Sequence, residues 1–240
     1  MTEPGGGPVV AGHQPNFLPW FGYFEKMLKC DVFVYSDDVQ YPKQCYTNRV
    51  EMPVGNVAGY LTLPVKKGGD ARIADKQHLQ DEPTCTRLIK TLRLNFGGLP
   101  HFGDIDLVID ELQKAYWQFQ TIADLNIHMN RYLAALMDIT TVARRGTELG
   151  LDAFHRNDRL VQRCRLLGSR IYLCGQGADG YQDDAFLAAS GIELRRIDYS
   201  IGRSLFGDDL RFTVLYGIAK YGLAPIRAAV AAYRSRGRRA

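Results

Sequence analysis

At 240 residues, with 46% hydrophobic and 23% charged side chains, the chain has the composition of a soluble globular protein that can bury one good core without requiring two domains. Its net charge of +4 is modest and arises partly from Arg234, Arg236, Arg238 and Arg239 at the very end, which argues against a nucleic-acid partner. Five cysteines, Cys30, Cys45, Cys85, Cys164 and Cys174, are odd in number and lack a Cys-x-x-Cys pair; they read as reduced thiols of a cytoplasmic protein, not as a disulfide framework or zinc site.

The opening MTEPGGGP has neither the basic nor the apolar part of a signal peptide, and residues 1–8 read as a flexible lead. No uninterrupted apolar run is long enough to span a bilayer. Val9-Val10-Ala11 predicts a buried strand that ends at Gly12-His13-Gln14-Pro15. Pro15, Pro19 and Gly22 punctuate an aromatic loop, and Tyr23–Cys30 has helix-compatible composition. A second apolar run, Val32-Phe33-Val34-Tyr35, ends in Ser36-Asp37-Asp38. Residues 50–67 hold two short runs around Pro53 and Gly55-Asn56, which predict one or two strands, with a hairpin on the sheet edge as one form. Lys66-Lys67-Gly68-Gly69-Asp70 follows as a mobile loop.

From Asp81 to Asp138 the pattern is helical. Asp81 and Pro83 open one helix, which Gly97-Gly98 stop; apolar spacings of three and four then mark Ile105–Leu112 and Tyr116–Leu136. A mainly helical subdomain or insertion over residues 81–139 is expected. Strand signals return at Thr140–Arg144, Ile171–Cys174 and Ile192–Tyr199. Between them lie helices capped by Asn157-Asp158 and running from Asp183 to Ser190, with a last one over Asp208–Tyr221. The predicted fold is α/β, a largely parallel Rossmann-like sheet flanked by helices. Its core comprises residues 9–80 and 140–222, followed by a C-terminal helix and basic tail over 223–240.

Two stretches carry a family resemblance. HQPNFLPWFGYFEKMLKCDVFVYSDDVQYPKQCYTNR resembles the opening signature of the WbqC-like family, bacterial proteins linked to surface-polysaccharide or other small-molecule biosynthesis. NDRLVQRCRLLGSRIYLCGQGADGYQDDAFLAASGIELRRIDYS is similar to a second region of that family, with Cys174 where the pattern carries Ser. The resemblance covers most of residues 9–222, is weakest in the helical middle, and supplies no reaction.

In parallel α/β sheets ligands sit beyond the carboxyl ends of the strands. His13 is the leading candidate there, because imidazole titrates near neutrality and acts as base, acid or anion donor; the alternative is a structural His bonded to loop carbonyls. Asp37 and Asp38 would point to opposite sides of their strand, one toward the cleft to orient His13, bind Mg²⁺ or meet a sugar hydroxyl, the other toward the turn. Asn16, Trp20, Asn48 and Arg49 are expected to line the cleft. Arg49 has the fork to grip a carboxylate or phosphate, or else pairs with Asp31 or Asp37. Gly175, Gln176, Gly177 and Tyr181 form a glycine-rich turn between strand and helix, a weak form of a backbone anion cradle. Cys174 reads as a small buried hydrophobe before a nucleophile. No histidine has paired ligand spacing, so no metal site is expected, and no cofactor is indicated.

The family's association with decorated sugars motivates the class of reaction expected here: amide or ester formation on a small-molecule or sugar intermediate by acyl or aminoacyl transfer, with His13 as general base. The partners are then a small-molecule substrate and an acyl donor or nucleotide sugar, and a homodimer is left open. A second reading is a nucleotide-dependent ligase. The strand–His–loop–helix order also looks like nucleotidylyltransferase-type domains such as pantothenate synthetase, although His13 lacks their second histidine. A third is a non-catalytic binding protein of a biosynthetic pathway, with the aromatic loop Phe17–Tyr23 as its partner surface.

Overall fold

A computed structural model describes residues 7–42, 45–55, 57–68, 71–175 and 182–237. Residues 1–6 of the flexible lead expected over residues 1–8, most of the Gly175–Tyr181 turn and the last three residues lie outside that set.

Five strands form one parallel sheet: β1 (Val9–His13), β2 (Val32–Tyr35), β5 (Val142–Arg145), β6 (Ile171–Cys174) and β7 (Glu193–Arg196), in the order β5-β2-β1-β6-β7. The inner strands VVAGH, VFVY and IYLC are almost continuously apolar, as strands covered on both faces must be. The outer strands VARR and ELRR carry arginines and exposed positions, which blunts both edges of the sheet. Numbered within the sheet, the order is 3-2-1-4-5, that of a doubly wound sheet. Its switch point falls between β1 and β6, where the chain stops building one flank and begins the other.

Alternation along each strand sends Ala11, Phe33, Tyr35 and Leu173 to one face, and Val10, Val34, Tyr172 and Cys174 to the other. The first face carries α1 (Phe21–Leu28), α4 (Ile122–Leu136), α8 (Val214–Tyr221) and α9 (Leu223–Ser235); the second carries α5 (Arg156–Leu166) and α6 (Asp184–Ala189). Every residue of α1 is buried, including Glu25 and Lys26, so it is a core helix with polar groups in the core. Glu25 is matched there: it accepts from the backbone of Ile201 and Gly202 at the start of α7 (Ser200–Phe206) and pairs with Lys29 at 2.7 Å.

The helical middle comprises α2 (Glu82–Phe96), α3 (Gly103–Gln118) and α4, and it shares one buried cluster with the sheet. Asp81 caps α2 by accepting from Thr84 N, with Pro83 in its first turn as expected. The single helix expected over Tyr116–Leu136 is two, because Thr121 caps a fresh start by accepting from Asp124 N. The hairpin β3 (Arg49–Val54) and β4 (Val57–Thr62) is a separate two-stranded sheet and not an edge of the main one, whose outer places β5 and β7 already fill. Asn157 and Asp158 lie inside α5 and do not cap it; the Asn157 side chain accepts from Asp183 N instead. Residues 208–221 are likewise a short 3-10 turn, Gly207–Arg211, followed by α8 with Thr213 as its cap. The C-terminal arm is docked: Arg227 donates to Leu136 O at 2.9 Å and Arg234 to Thr140 Oγ1 at 2.8 Å.

Candidate functional site

His13 ends the central strand on the α1 face, edge-on to Tyr23 at 4.9 Å between ring centroids. Its Nδ1 lies 3.1 Å from the carbonyl of Gln14, which also accepts from the Tyr23 hydroxyl at 3.1 Å. A carbonyl can only accept, so Nδ1 carries the proton and the neutral ring presents a lone pair at Nε2. Burial, then the neighbouring Lys26 charge, lower the imidazole to about 4. His13 is therefore neutral throughout the physiological range, whereas sequence alone suggested titration near 7. Neither aspartate orients it; the Gln14 carbonyl does.

Ser36 N donates to His13 O, so Ser36-Asp37-Asp38 leave the sheet beside His13. Beyond the end of β2 the two aspartates diverge. Asp37 is fully buried and accepts from Arg145 Nε at 2.7 Å, Thr147 N at 3.0 Å and Thr147 Oγ1 at 3.2 Å; Arg145 also reaches Asp124 at 2.6 Å. Asp38 turns to α5, accepting from Arg159 at 3.2 Å with Arg163 at 3.7 Å. Gly146 makes room for it, since a Cβ there would lie 2.3 Å from Asp38 Oδ1.

The β1–β6 pairing runs Val9↔Ile171, Val10↔Tyr172, Ala11↔Leu173, and carried on in register it sets His13 level with Gly175. Both thus stand at one carboxyl edge. Gly12, just inside it, leaves room for Arg163: a Cβ would lie 2.4 Å from Arg163 Nη1 and 3.0 Å from the Tyr172 hydroxyl, so a side chain there would displace the guanidinium. Trp20 packs against Tyr199 with tilted rings, 4.8 Å between centroids, and the Tyr199 hydroxyl lies 3.4 Å from where a Cβ on Gly175 would be, so Tyr199 joins Trp20 to this edge.

The loop after β1 is braced by the segment before β3: Phe17 N donates to Tyr46 O, and Thr47 Oγ1 reaches Gln14 Oε1 at 3.5 Å. The Asn126 side chain ties Pro15 O and Thr47 O together, and Asn130 holds Asn16 O. Asn16 and Asn48 each keep a buried Oδ1 without a partner, while Asn48 Nδ2 donates to Leu63 O. Arg49 lies 4.7 Å over the Tyr60 ring, in contact with neither Asp31 nor Asp37. The aromatic loop is core and no surface for a partner: Phe17, Leu18, Phe21 and Tyr23 are all buried. Gln176, Gly177 and Tyr181 lie outside the described residues. Burial raises the Cys174 thiol above its ordinary value, in keeping with a packed hydrophobe.

Sequence reading missed Lys26, Arg163 and Tyr199. The first two were legible only as charges interrupting the apolar faces of YFEKMLKC and RLVQRCRLLG. Among the described residues, no group of three His, Cys, Asp or Glu side chains could hold a metal ion, and no helix is long and apolar enough to cross a membrane.

Compared with known proteins, the chain matches the model described as the WbqC-like protein family over residues 14–204. It is similar to the uncharacterized protein Rv1507c of Mycobacterium tuberculosis (strain ATCC 25618 / H37Rv), at 26% identity over 193 residues covering 79% of this chain and 82% of that protein. No solved structure matches it significantly.

Proposed function

The chain belongs to the WbqC-like family, and from that premise we propose that it is an enzyme forming an amide or ester on a small-molecule or sugar intermediate by acyl or aminoacyl transfer. One observation carries the reading: His13 Nδ1–H is fixed on the Gln14 carbonyl, which leaves the Nε2 lone pair at the switch-point edge of the sheet. Nε2 takes the proton from the acceptor amine or hydroxyl as its nitrogen or oxygen attacks the acyl carbon. The tetrahedral oxyanion collapses, the bond to the carrier breaks, and His13 returns the proton to the leaving group. An imidazole held down to about 4 is a weak base but one always in its base form. It works late in the step, once bond formation has acidified the attacking group.

With a hydroxyl acceptor, kcat/KM is expected to stay level from pH 7 down to about 5 and to fall only near 4. A fall centred near 6.5 would contradict the assignment. His13→Ala is expected to lower kcat by about 10²–10⁴-fold, and activity within a few-fold of wild type removes His13 as the base.

The strand order supports a second reading, nucleotide-dependent activation, since nucleotides commonly sit at such switch points. Thermal shifts with ATP-Mg²⁺ and with an acyl-coenzyme A separate the two: stabilisation by ATP alone favours activation by nucleotide, and indifference to ATP ends it.

A further inference from the structure

One buried charge at the β1–β6 gap takes no part in the chemistry above. Lys26 is 4% exposed, and among the described residues its ammonium meets no acidic side chain. Its one hydrogen bond runs 2.8 Å to the carbonyl of Gly12. An ammonium has three donors, and among the described residues it makes no further hydrogen bond, with the Cys30 and Cys174 thiols and the Arg163 guanidinium as its titratable neighbours. A buried cation without a counter-charge is costly, and proteins meet that cost by pairing the charge or by losing the proton. Burial does lower the Lys26 amine, to about 8, which still leaves it mostly charged at neutral pH.

A second cation arrives from the other side of the sheet. Arg163 is 5% exposed; Nη1 donates to Ser36 Oγ at 2.9 Å and Nε has no partner. Its guanidinium lies over Gly12, in the space a side chain there would take. Helices α1 and α5, on opposite faces, thus each send a buried cation to the same glycine at the end of the central strand. His13 and Gly175, both partly exposed, mark the open side. Asp38 answers Arg163 in part, and nothing described answers Lys26.

We propose that Lys26 and Arg163 bind a phosphate group of the donor substrate at the end of β1, so that the donor is a phosphate-bearing carrier. The chemistry fits: a multiply charged oxyanion can accept from an ammonium and a guanidinium at once, and in doubly wound sheets this is where such groups lodge. The word "donor" rests on the transfer reaction proposed above, whereas the anion site does not. Two sources share the chemistry, a nucleotide and a coenzyme A thioester.

Calorimetric titration of the full chain at low ionic strength, with sodium pyrophosphate, ATP and coenzyme A as separate probes, tests the site without turnover. Loss of transfer activity and loss of the anion site therefore show separately. Wild type is expected to bind pyrophosphate, more weakly as salt is added, and Lys26→Met to weaken that binding at least tenfold while Lys26→Arg keeps most of it. Tighter binding of ATP than of coenzyme A assigns a nucleotide donor, and the reverse a thioester. Absence of binding by all three probes, or equal binding by wild type and Lys26→Met, overturns the proposal. Should Lys26→Met not fold, hydrogen exchange on wild type decides: pyrophosphate must slow exchange in residues 10–14 and 171–175, and protection confined to other segments overturns it.

Discussion

On the β2 flank of the central strand, each buried aspartate faces cations. Asp37 is ringed by Arg145 and Thr147, Arg145 is shared with Asp124, and Asp38 faces Arg159 and Arg163. On the β6 flank, Lys26 rests on a single carbonyl and His13 is forced neutral. A matched ionic network holds strand ends in place; an unmatched one is left with capacity to interact. Two acids read from sequence as catalytic candidates thus lie on the supporting flank, and Lys26, which sequence passed over, lies on the flank that faces the switch point.

The largest effect that sharpens this contrast comes from Asp37→Ala. It strands Arg145 and the Thr147 amide in a buried place and is expected to cost about 3–5 kcal/mol in urea unfolding. A loss under about 1 kcal/mol would mean the β2 flank is no scaffold. The β6 flank predicts a pH effect of similar size. His13 has a folded value of about 4 against an ordinary 6.5, so the unfolded chain takes up the proton first on acidification. Its contribution is full above pH 6.5 and is lost as pH falls toward 4, about 3 kcal/mol in all. His13→Gln should flatten that part of the stability–pH curve, and an unchanged slope would count against the buried neutral imidazole. The smallest effect lies away from both flanks. Thr213→Val removes the 2.7 Å bond to Leu18 O and should cost about 1–2 kcal/mol by thermal melting, with the His13 pH profile unmoved.

The parallel sheet was legible because its inner strands are short unbroken apolar runs, each ending in glycine or acid. Asp37 and Asp38 do part, but beyond the strand's end, where each is held by arginine. Helix boundaries were less legible where polar residues do tertiary work. Thr121 and Thr213 restart helices that periodicity alone joins, and Asn157 serves Asp183 and not its own helix. The separate hairpin could not be read, since a strand pattern does not name its neighbour. Lys26 was hidden for a related reason: a lysine in an apolar helix is ordinarily expected to reach water, and only packing on all sides of α1 shows that it does not.

Leu18 sits at φ 42°, a left-handed backbone rarely adopted by a branched side chain, and it is held there from far along the chain. Thr213 Oγ1 bonds Leu18 O, Val214 N bonds Pro19 O, and Trp20 bridges Thr213. During synthesis the loop that follows His13 emerges well before the strand β6 and before its clamp, which lies 195 residues further along. The aromatic loop therefore stays unclamped until residue 213 has been made. A chain cut short before residue 213 would hold all five strands of the sheet but an unlatched loop.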